Sequence, residues 1–256
     1  MKHFRVMLVL VTLVLFVPAC GIAQQPVTLD QISGFMELAW QSWQGVKDYT
    51  CIFYKRELVK GHLLNKETIQ VKFRKMPYSV YMKWITYPHK GRELLFVAGK
   101  NNDKIKVHEG GVIGNININL NPYGEKALKD NRHTVCEATI GSTIKLLKDD
   151  LELAKAKNDG TFADLGIKSY EGVTARCFRA VFPEASVKPV STHLAVKGKY
   201  YSADITVCID STGLPVVVEN RSASGKIIEY YVYKNIKINP GLTDMDFSQD
   251  NKEYRY

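Results

Sequence analysis

The sequence predicts an α+β fold, in which a curved antiparallel half-barrel sheet carries an N-terminal amphipathic helix and a helical lid. Three observations indicate this fold. Apolar residues with helical spacing come first, at residues 28–47. Strand patterns of period two follow, and a second helical pattern interrupts them at residues 141–157. Because a long antiparallel sheet twists and curls, a helix lying against its inner face would fill a half-barrel.

The first helix is predicted at residues 28–47, where Thr28 and Gln31 have the spacing of a capping box. Apolar residues recur there at intervals of three and four positions, which places them on one stripe: Leu29, Ile32, Met36, Ala39, Trp43 and Val46, widened by Phe35 and Trp40. A stripe of this kind is normally buried. We therefore expect this helix to pack on one face of the sheet.

Alternation of apolar and polar residues predicts the strands. The predicted strands lie at residues 49–58, 69–74, 80–84, 94–98, 104–108, 116–120, 175–182, 200–210, 214–221 and 226–238. Pro77 and Pro88 fall between strands, where a missing backbone donor costs nothing. A short helix is predicted at residues 122–131, because Pro122 suits a helix N-terminus. The helix at residues 141–157 has one apolar face and is the predicted lid.

An export signal is predicted at the N-terminus. An apolar run at residues 6–17 follows basic residues and is too short to span a bilayer. The signal would cover residues 1–23, and one folded domain would follow at residues 26–256. Two cleavage sites remain open, before Cys20 in the lipobox-like sequence VPAC or after Ala23. Cleavage before Cys20 would make it the lipidated first residue and associate the protein with a membrane.

The charge balance is basic. There are 35 Lys and Arg residues against 26 Asp and Glu residues, a formal net charge of +9, and loss of Lys2 and Arg5 with the signal leaves +7. In an exported protein this suggests anionic lipid headgroups or glycans as neighbours, or simply a solvated, lysine-rich surface. No nucleic-acid-binding motif accompanies the charge, so nucleic acid is not a predicted partner.

Four cysteines remain beyond Cys20. An even number in an oxidising compartment permits two disulfides with three connectivities, among which the sequence does not choose. These cysteines are Cys51, Cys136, Cys177 and Cys208. None has the spacing of a metal or redox motif, so buried free thiols remain an alternative.

No sequence motif of a known enzyme class is present, and neither a catalytic residue, a metal site nor a cofactor is predicted. The histidines of the mature chain are isolated from one another and are expected at loops or strand ends: His62, His89, His108, His133 and His193. Acids near strand ends are expected to form surface ion pairs: Glu57, Glu67, Glu93 and Glu109. The string DMDFSQD at residues 244–250 resembles a calcium loop but lacks the required glycine and final acid, which favours a turn with Phe247 inward.

The predicted interior is rich in flexible and aromatic side chains. A half-barrel closed by a helix often leaves a cavity, and methionine and tryptophan linings adapt to irregular ligands. The residues predicted to contact a ligand there are Met36, Trp40, Trp43, Phe73, Met82, Trp84 and Phe96. The alternative, a core filled by these same side chains, fits the pattern equally well.

Several segments together carry a resemblance to a known family. They are DYTCIFYKRE (48–57), KFRKMPYSVYMKW (72–84), GRELLFVAGKNNDKIKVHEGG (91–111), NRH (131–133) and, near the end, INPGLTDMDF and NKEYRY. This set resembles the secreted bacterial family called domain of unknown function 1571 (DUF1571), within the LolA-like superfamily of periplasmic lipoprotein carriers. The resemblance implies a curved sheet with a helical lid over an apolar cavity, and a location in the periplasm or cell envelope of a Gram-negative bacterium.

The expected function is non-enzymatic binding of a lipid, an acyl chain or a lipoprotein in the cleft between sheet and helices. Each buried methylene contributes about 0.8 kcal/mol, so one acyl chain gives useful affinity. One alternative is a structural or sensor module with a filled core that binds another envelope protein. A second alternative is an enzyme with an unrecognised Cys or His site.

Overall fold

A computed structural model describes residues 24–110, 116–188 and 196–256. The predicted signal at residues 1–23, with Cys20, and His193 lie outside the described residues. The helices are α1 (Leu29–Gln44), α2 (Glu125–Leu128) and α3 (Ile140–Lys157). The strands are β1 (Gln25–Pro26), β2 (Asp48–Val59), β3 (His62–Leu63), β4 (Glu67–Arg74), β5 (Ser79–Trp84), β6 (Glu93–Val97), β7 (Ile105–His108), β8 (Asn117–Leu120), β9 (Thr161–Tyr170), β10 (Val173–Val181), β11 (Asp204–Ile209), β12 (Pro215–Arg221) and β13 (Ile227–Ile238).

These strands form one sheet in the order β1-β9-β10-β11-β12-β13-β2-β4-β5-β6-β7-β8, with β3 paired to β2 beside this path. Every pair of these strands is antiparallel. Because β1 and β8 lie at opposite ends of the order, the curved sheet stays open. The predicted fold class, an α+β half-barrel with helices on its sheet, is confirmed.

The capping box of α1 is confirmed. The Thr28 backbone N–H donates to Gln31 Oε1 at 2.8 Å, and the Gln31 backbone N–H donates to Thr28 Oγ1 at 3.2 Å. The buried face of α1 contains Ile32, Met36, Ala39 and Trp43, as the stripe predicted. The helix ends at Gln44, earlier than predicted, because the chain turns there to enter β2.

Helix α3 packs against α1 on the same face of the sheet. Thr139 caps α3 by accepting the Ser142 backbone N–H at 3.1 Å. Gly141 permits the close approach, since a Cβ at this position would lie 2.3 Å from Cε2 of Trp43. The absence of a side chain at Gly141 therefore lets α3 sit directly on the indole ring of Trp43.

Gly141→Ala is expected to lower the free energy of unfolding by about 1–3 kcal/mol, because the added methyl group must displace a buried ring or the helix. Gly34→Ala is the matched control within α1, where a Cβ meets nothing within 4 Å. That control is expected to stabilise the protein by about 0.5–1 kcal/mol through helix propensity. Urea denaturation of both variants checks this, and equal effects would contradict the close packing of α1 on α3.

Strand β1 was not predicted, β11 begins at Asp204 where a strand from residue 200 was predicted, and two longer elements also differ from the sequence prediction. Strand β9 was not predicted, because a bulge interrupts its alternation: Gly166 has a φ of 68°, and the register with β10 shifts between Cys177 and Phe178. Helix α2 is shorter than the predicted 122–131. The Asn121 side chain accepts the Tyr123 backbone N–H at 2.9 Å and makes a turn where the first helical turn was expected.

Cys177 and Cys208 form a disulfide between neighbouring positions of β10 and β11. Cys51 and Cys136 are free thiols, the first buried and the second half-buried. Burial raises the pKa of the Cys51 thiol well above its usual value, so this thiol stays protonated. The described residues thus contain one of the two disulfides that the cysteine count permitted.

Candidate functional site

A large cavity lies between the sheet and α3, with a volume of about 1140 Å³. One wall is apolar and comes from consecutive strands of the predicted meander. It is lined by Ile69, Met82, Trp84, Leu94, Ile105, Val107, Ile118 and Leu120. The facing side includes Leu146, Leu147 and Leu153 of α3. The helix predicted as a lid therefore does cover part of a cavity.

The predicted ligand-binding residues fall into two groups. Met82 and Trp84 line the cavity, and Trp84 Nε1 donates to Glu67 Oε1 at 3.0 Å. The others do not line it: Met36, Trp43, Phe73 and Phe96 are buried in the core, and Trp40 is half-buried there. All five belong to the core that includes α1, where the rings of Trp43 and Phe73 lie 5.8 Å apart. A role in ligand contact stays a prediction for Met82 and Trp84.

The opposite end of the cavity is polar and centres on Glu229, which is 1% exposed. One carboxylate oxygen accepts from Arg132 Nε at 2.7 Å, from His133 Nε2 at 3.0 Å and from the Tyr201 hydroxyl. The other accepts from Asn220 Nδ2 at 2.9 Å. Burial alone would raise the pKa of Glu229, but His133 and Arg132 hold it at about 2, so Glu229 is ionised.

Glu57 is the cross-strand partner of Glu229 in the pairing of β2 with β13. Two carboxylates in this position repel each other unless cations lie between them. Arg132 contacts both carboxylates. Its backbone N–H donates to Glu57 Oε2 at 2.9 Å, and its guanidinium Nε donates to Glu229 at 2.7 Å. Lys55 Nζ lies 3.5 Å from Glu57 Oε2. Arg132 and Lys55 thus compensate a buried pair of acids at the end of the cavity.

The expectation of surface ion pairs is wrong for Glu57 and Glu93, and the pair of Glu67 with Lys55, at 3.1 Å, is also largely enclosed. Glu57 is 3% exposed and Glu93 is fully buried, the latter on the other face of the sheet, where it pairs with Lys83 at 3.2 Å. Glu109 does form a half-exposed pair with Arg92 at 2.8 Å. Sequence reasoning missed the burial of Glu57 because Arg132, whose backbone N–H it accepts, and its cross-strand neighbour Glu229 both lie far along the chain.

His133 belongs to this polar end, although the sequence indicated only an isolated histidine. Its Nε2 atom contacts the Tyr201 hydroxyl at 2.9 Å as well as Glu229. Burial alone would lower the pKa of His133, but Glu229 raises it above its usual value. The segment NRH, which supported the family resemblance, was the one available signal for this position.

Two further ionisable groups flank Tyr201. Asp150 of α3 accepts the Tyr201 backbone N–H with both oxygens, each at 3.1 Å. Burial raises the pKa of Asp150 to about 7. Lys188 Nζ lies 3.8 Å from the centre of the Tyr201 ring, and burial together with Arg132 lowers its pKa to about 8. Tyr201 thus links the lid helix to the charged end of the cavity.

Asp150→Asn is expected to change the pH dependence of stability. Because the folded-state pKa of Asp150 is raised from 3.8 to about 7, the folded protein binds the proton more tightly than the unfolded chain. The stabilisation of the folded protein by this proton is complete below pH 3.8, and it is lost as the pH rises toward about 7. Asparagine keeps the acceptor without titrating. The free energy of unfolding, measured from pH 4 to 7, should fall in the parent relative to Asp150→Asn. Parallel profiles of the two proteins would contradict the raised pKa of Asp150.

Within the described part of the chain, no group of His, Cys, Asp and Glu side chains is arranged to hold a metal ion. The calcium-like string forms a 3-10 turn at Asp244–Phe247, with Phe247 3% exposed, as the turn interpretation predicted. Asp246 is engaged by Lys72 Nζ at 2.8 Å. Among the helices of the described ranges, none has both the length and the apolar character needed to span a membrane.

The fold and the cavity define a class of protein, the open curved antiparallel sheets with helices on one face. The particular family follows from the sequence. The model of a protein family of unknown function (DUF1571) matches residues 46–256, and the chain belongs to that family. No protein of curated function matches the sequence.

Several solved structures are similar to this chain at low identity. The Mycobacterium tuberculosis lipoprotein LppX is 13% identical, with a TM-score of 0.47 over 84% of this chain and 98% of that one. A LolA superfamily protein from Nitrosomonas europaea is 12% identical, with a TM-score of 0.34 over 88% and 99%. A chain of the MucA/MucB complex from Pseudomonas aeruginosa is 10% identical, with a TM-score of 0.45 over 85% of this chain and 60% of that one. The chain thus spans about 60% of the matched chain in that complex.

Proposed function

We propose that this protein is an exported carrier or sensor that holds the acyl chain of a lipid or lipoprotein in its cavity, without catalysing a reaction. The proposal rests on the cavity. A volume of about 1140 Å³ lies beside an apolar wall and is not filled by the aromatic core that includes α1. Sites for small ligands usually occupy about 300–1,000 Å³, so this one suits a long ligand. Burial contributes about 0.8 kcal/mol per methylene.

The lid helix supports the same proposal. Helix α3 has apolar residues on the core and the cavity, and its N-terminal half contributes Ser142 and Thr143 to the cavity lining. A chain entering between α3 and the sheet exchanges water for apolar side chains. The alternative of a module with a filled core finds less support, since the cavity adjoins the packed core without being filled by it.

The enzyme alternative has one observation in its favour, the position of His133 between Glu229 and Tyr201 at a cavity wall. However, the same Nε2 atom makes both contacts, so this nitrogen is already engaged within the protein and is poorly placed to accept a proton from a substrate. We therefore propose a binding role for this group. A bound lipid should keep its mass during incubation with the protein.

The proposal also includes the location. We propose export through the signal at residues 1–23, followed by a domain at residues 26–256 in the periplasm or cell envelope. Cleavage before Cys20 would add a lipid anchor, and an envelope protein is the alternative partner. Mass spectrometry of the mature N-terminus decides between Cys20 and the residue after Ala23.

Native mass spectrometry of the protein purified from the envelope tests the binding function. A co-purifying mass consistent with an acyl lipid is expected, together with saturable uptake of a fluorescent fatty acid by the stripped protein. Absence of both the lipid and the uptake would contradict the proposal.

A further inference from the structure

Three turns at one end of the sheet carry an inference that goes beyond the proposed function. These turns connect β2 to β4 (residues 60–66), β5 to β6 (residues 85–92) and β12 to β13 (residues 222–226). Strands β12, β2 and β5 run in the same direction, because one antiparallel strand separates each of them from the next. The turns that follow these strands therefore lie at the same end of the sheet, and we call them the basic turns.

The basic turns contain cationic side chains but no acidic one. The cations are Lys60, Lys66, Lys90, Arg92 and Lys226. Acids from other elements pair with two of them. Lys66 Nζ lies 2.9 Å from Glu171 Oε1, and Arg92 forms the pair with Glu109 described above. The other three cations are exposed lysines, and among the residues that the structure describes no carboxylate forms an ion pair with them.

The surroundings of the basic turns do not cancel these three charges. The strand ends that adjoin the turns, with the residues packed on them, hold equal numbers of acids and cations. The acids are Glu57, Glu67, Glu93, Asp204, Glu219 and Glu229, and the cations are Lys55, Arg56, Lys83, Arg132, Arg179 and Arg221. Residues 122–131, which contact Lys55 through Asn131, contain two acids and two lysines. The loop from β10 to β11, at residues 182–203, contains one acid and three lysines.

The middle turn also presents an aromatic ring. Tyr87 is 80% exposed, and Lys90 Nζ lies 5.9 Å from the centre of its ring. Tyrosine is enriched at membrane interfaces, where its ring lies at the level of the headgroups, and lysines nearby are attracted to anionic headgroups. The same turn borders the cavity, since Trp84 precedes it, Arg92 ends it, and both line the cavity. A lipid surface at this end would therefore lie beside the cavity.

We propose that the basic turns dock the protein on a lipid bilayer that carries anionic headgroups, with Lys60, Lys90 and Lys226 against the headgroups and Tyr87 in the interface. This contact does not require a lipid anchor at Cys20. It rests on the proposed function only for its purpose, which is to place the cavity where an acyl ligand leaves or enters a membrane. A single lysine near an anionic surface contributes little, so the three lysines act together.

Vesicle flotation tests this inference, using vesicles of phosphatidylcholine alone and of phosphatidylcholine mixed with phosphatidylglycerol. The full chain carries Cys20→Ser in all samples, so that no lipid is attached there. It is expected to bind the mixed vesicles, to leave the neutral vesicles unbound, and to dissociate as the salt concentration rises. The triple variant Lys60→Gln, Lys90→Gln and Lys226→Gln should bind the mixed vesicles about a hundredfold more weakly, which is about fivefold for each lysine.

A second triple variant is the matched control: Lys47→Gln, Lys100→Gln and Lys104→Gln. It removes the same charge from exposed lysines at the opposite end of the sheet, before β2 and in the turn from β6 to β7. This control should bind the mixed vesicles as the parent does. Equal loss in both triple variants would mean that net charge alone drives binding and would overturn the docking surface. Thermal denaturation confirms that both variants are folded before binding is compared.

Other outcomes separate the docking surface from the proposed function. A fluorescent fatty acid added without vesicles should bind the Lys60, Lys90 and Lys226 variant as it binds the parent, because none of these lysines lines the cavity. Failure of the parent to bind mixed vesicles, with uptake of the fatty acid intact, would overturn the docking surface alone. Binding to heparin without binding to mixed vesicles would overturn it in favour of an anionic polysaccharide. Vesicle binding without uptake of the fatty acid would support the docking surface and overturn the proposed function.

Discussion

Glu229→Ala is expected to lower the free energy of unfolding by about 3–5 kcal/mol, because removing one member of a buried ion pair leaves the other charge uncompensated. Glu229 accepts from Arg132 at 2.7 Å and from His133 at 3.0 Å, and all three side chains are largely enclosed. In the variant, Arg132 would face the cavity without its carboxylate. Urea denaturation at pH 7 measures this loss.

Glu171→Ala is the matched control, since it deletes a carboxylate whose partner is Lys66, at 2.9 Å, with both side chains partly exposed. Deleting such a surface pair should cost less than about 1 kcal/mol. Acid adds a second check, because the folded-state pKa of Glu229 is lowered from 4.5 to about 2. The contribution of the Glu229 carboxylate to the free energy of unfolding is complete above pH 4.5 and disappears as the pH falls toward 2. A loss for Glu229→Ala no larger than the control would contradict the buried network.

Ile118→Asp is expected to weaken acyl binding by more than about tenfold, because an ionised carboxylate on the apolar wall must lose water when a chain covers it. Ile118 lines the cavity on the edge strand β8 and is half-buried. An edge position tolerates the charge when no ligand is bound, so the fold should persist. Titration with a fluorescent fatty acid measures the change.

Asn119→Asp places the same charge one residue away on the opposite face of β8, since side chains alternate along a strand. Asn119 is exposed, and its Oδ1 accepts from Asn101 at 2.8 Å, an interaction that a carboxylate retains. This control should bind the fatty acid as the parent does. Equal loss in both variants would point to a damaged strand and would contradict an acyl chain at Ile118.

The parts of the fold that depend on residues close together in the sequence could be predicted from the sequence. The capping pair Thr28 and Gln31 set the start of α1, and the alternation of β4 to β7 set the apolar wall that contains Met82 and Trp84. Strand β9 could not be predicted in this way, because the bulge at Gly166 moves its side chains out of phase with period two.

The polar end of the cavity depends on distant residues. Glu57 and Glu229 become partners only when β2 pairs with β13, and Arg132 reaches both from a loop between them in sequence. Each acid by itself has the pattern of an ordinary strand-end charge. The sequence therefore predicted an apolar cleft and aromatic residues, whereas the charged end required the strand register.

Quenching of Trp84 fluorescence by a brominated fatty acid tests the central claim most directly, since bromine quenches only a nearby indole. Trp84 lines the cavity, whereas Trp43 is buried under α3 and Trp40 lies outside the lining. The proposed function predicts saturable quenching that is largely lost in Trp84→Phe and kept in Trp40→Phe. Binding of the fatty acid without quenching of Trp84, or equal quenching in Trp84→Phe, would contradict an acyl chain in this cavity.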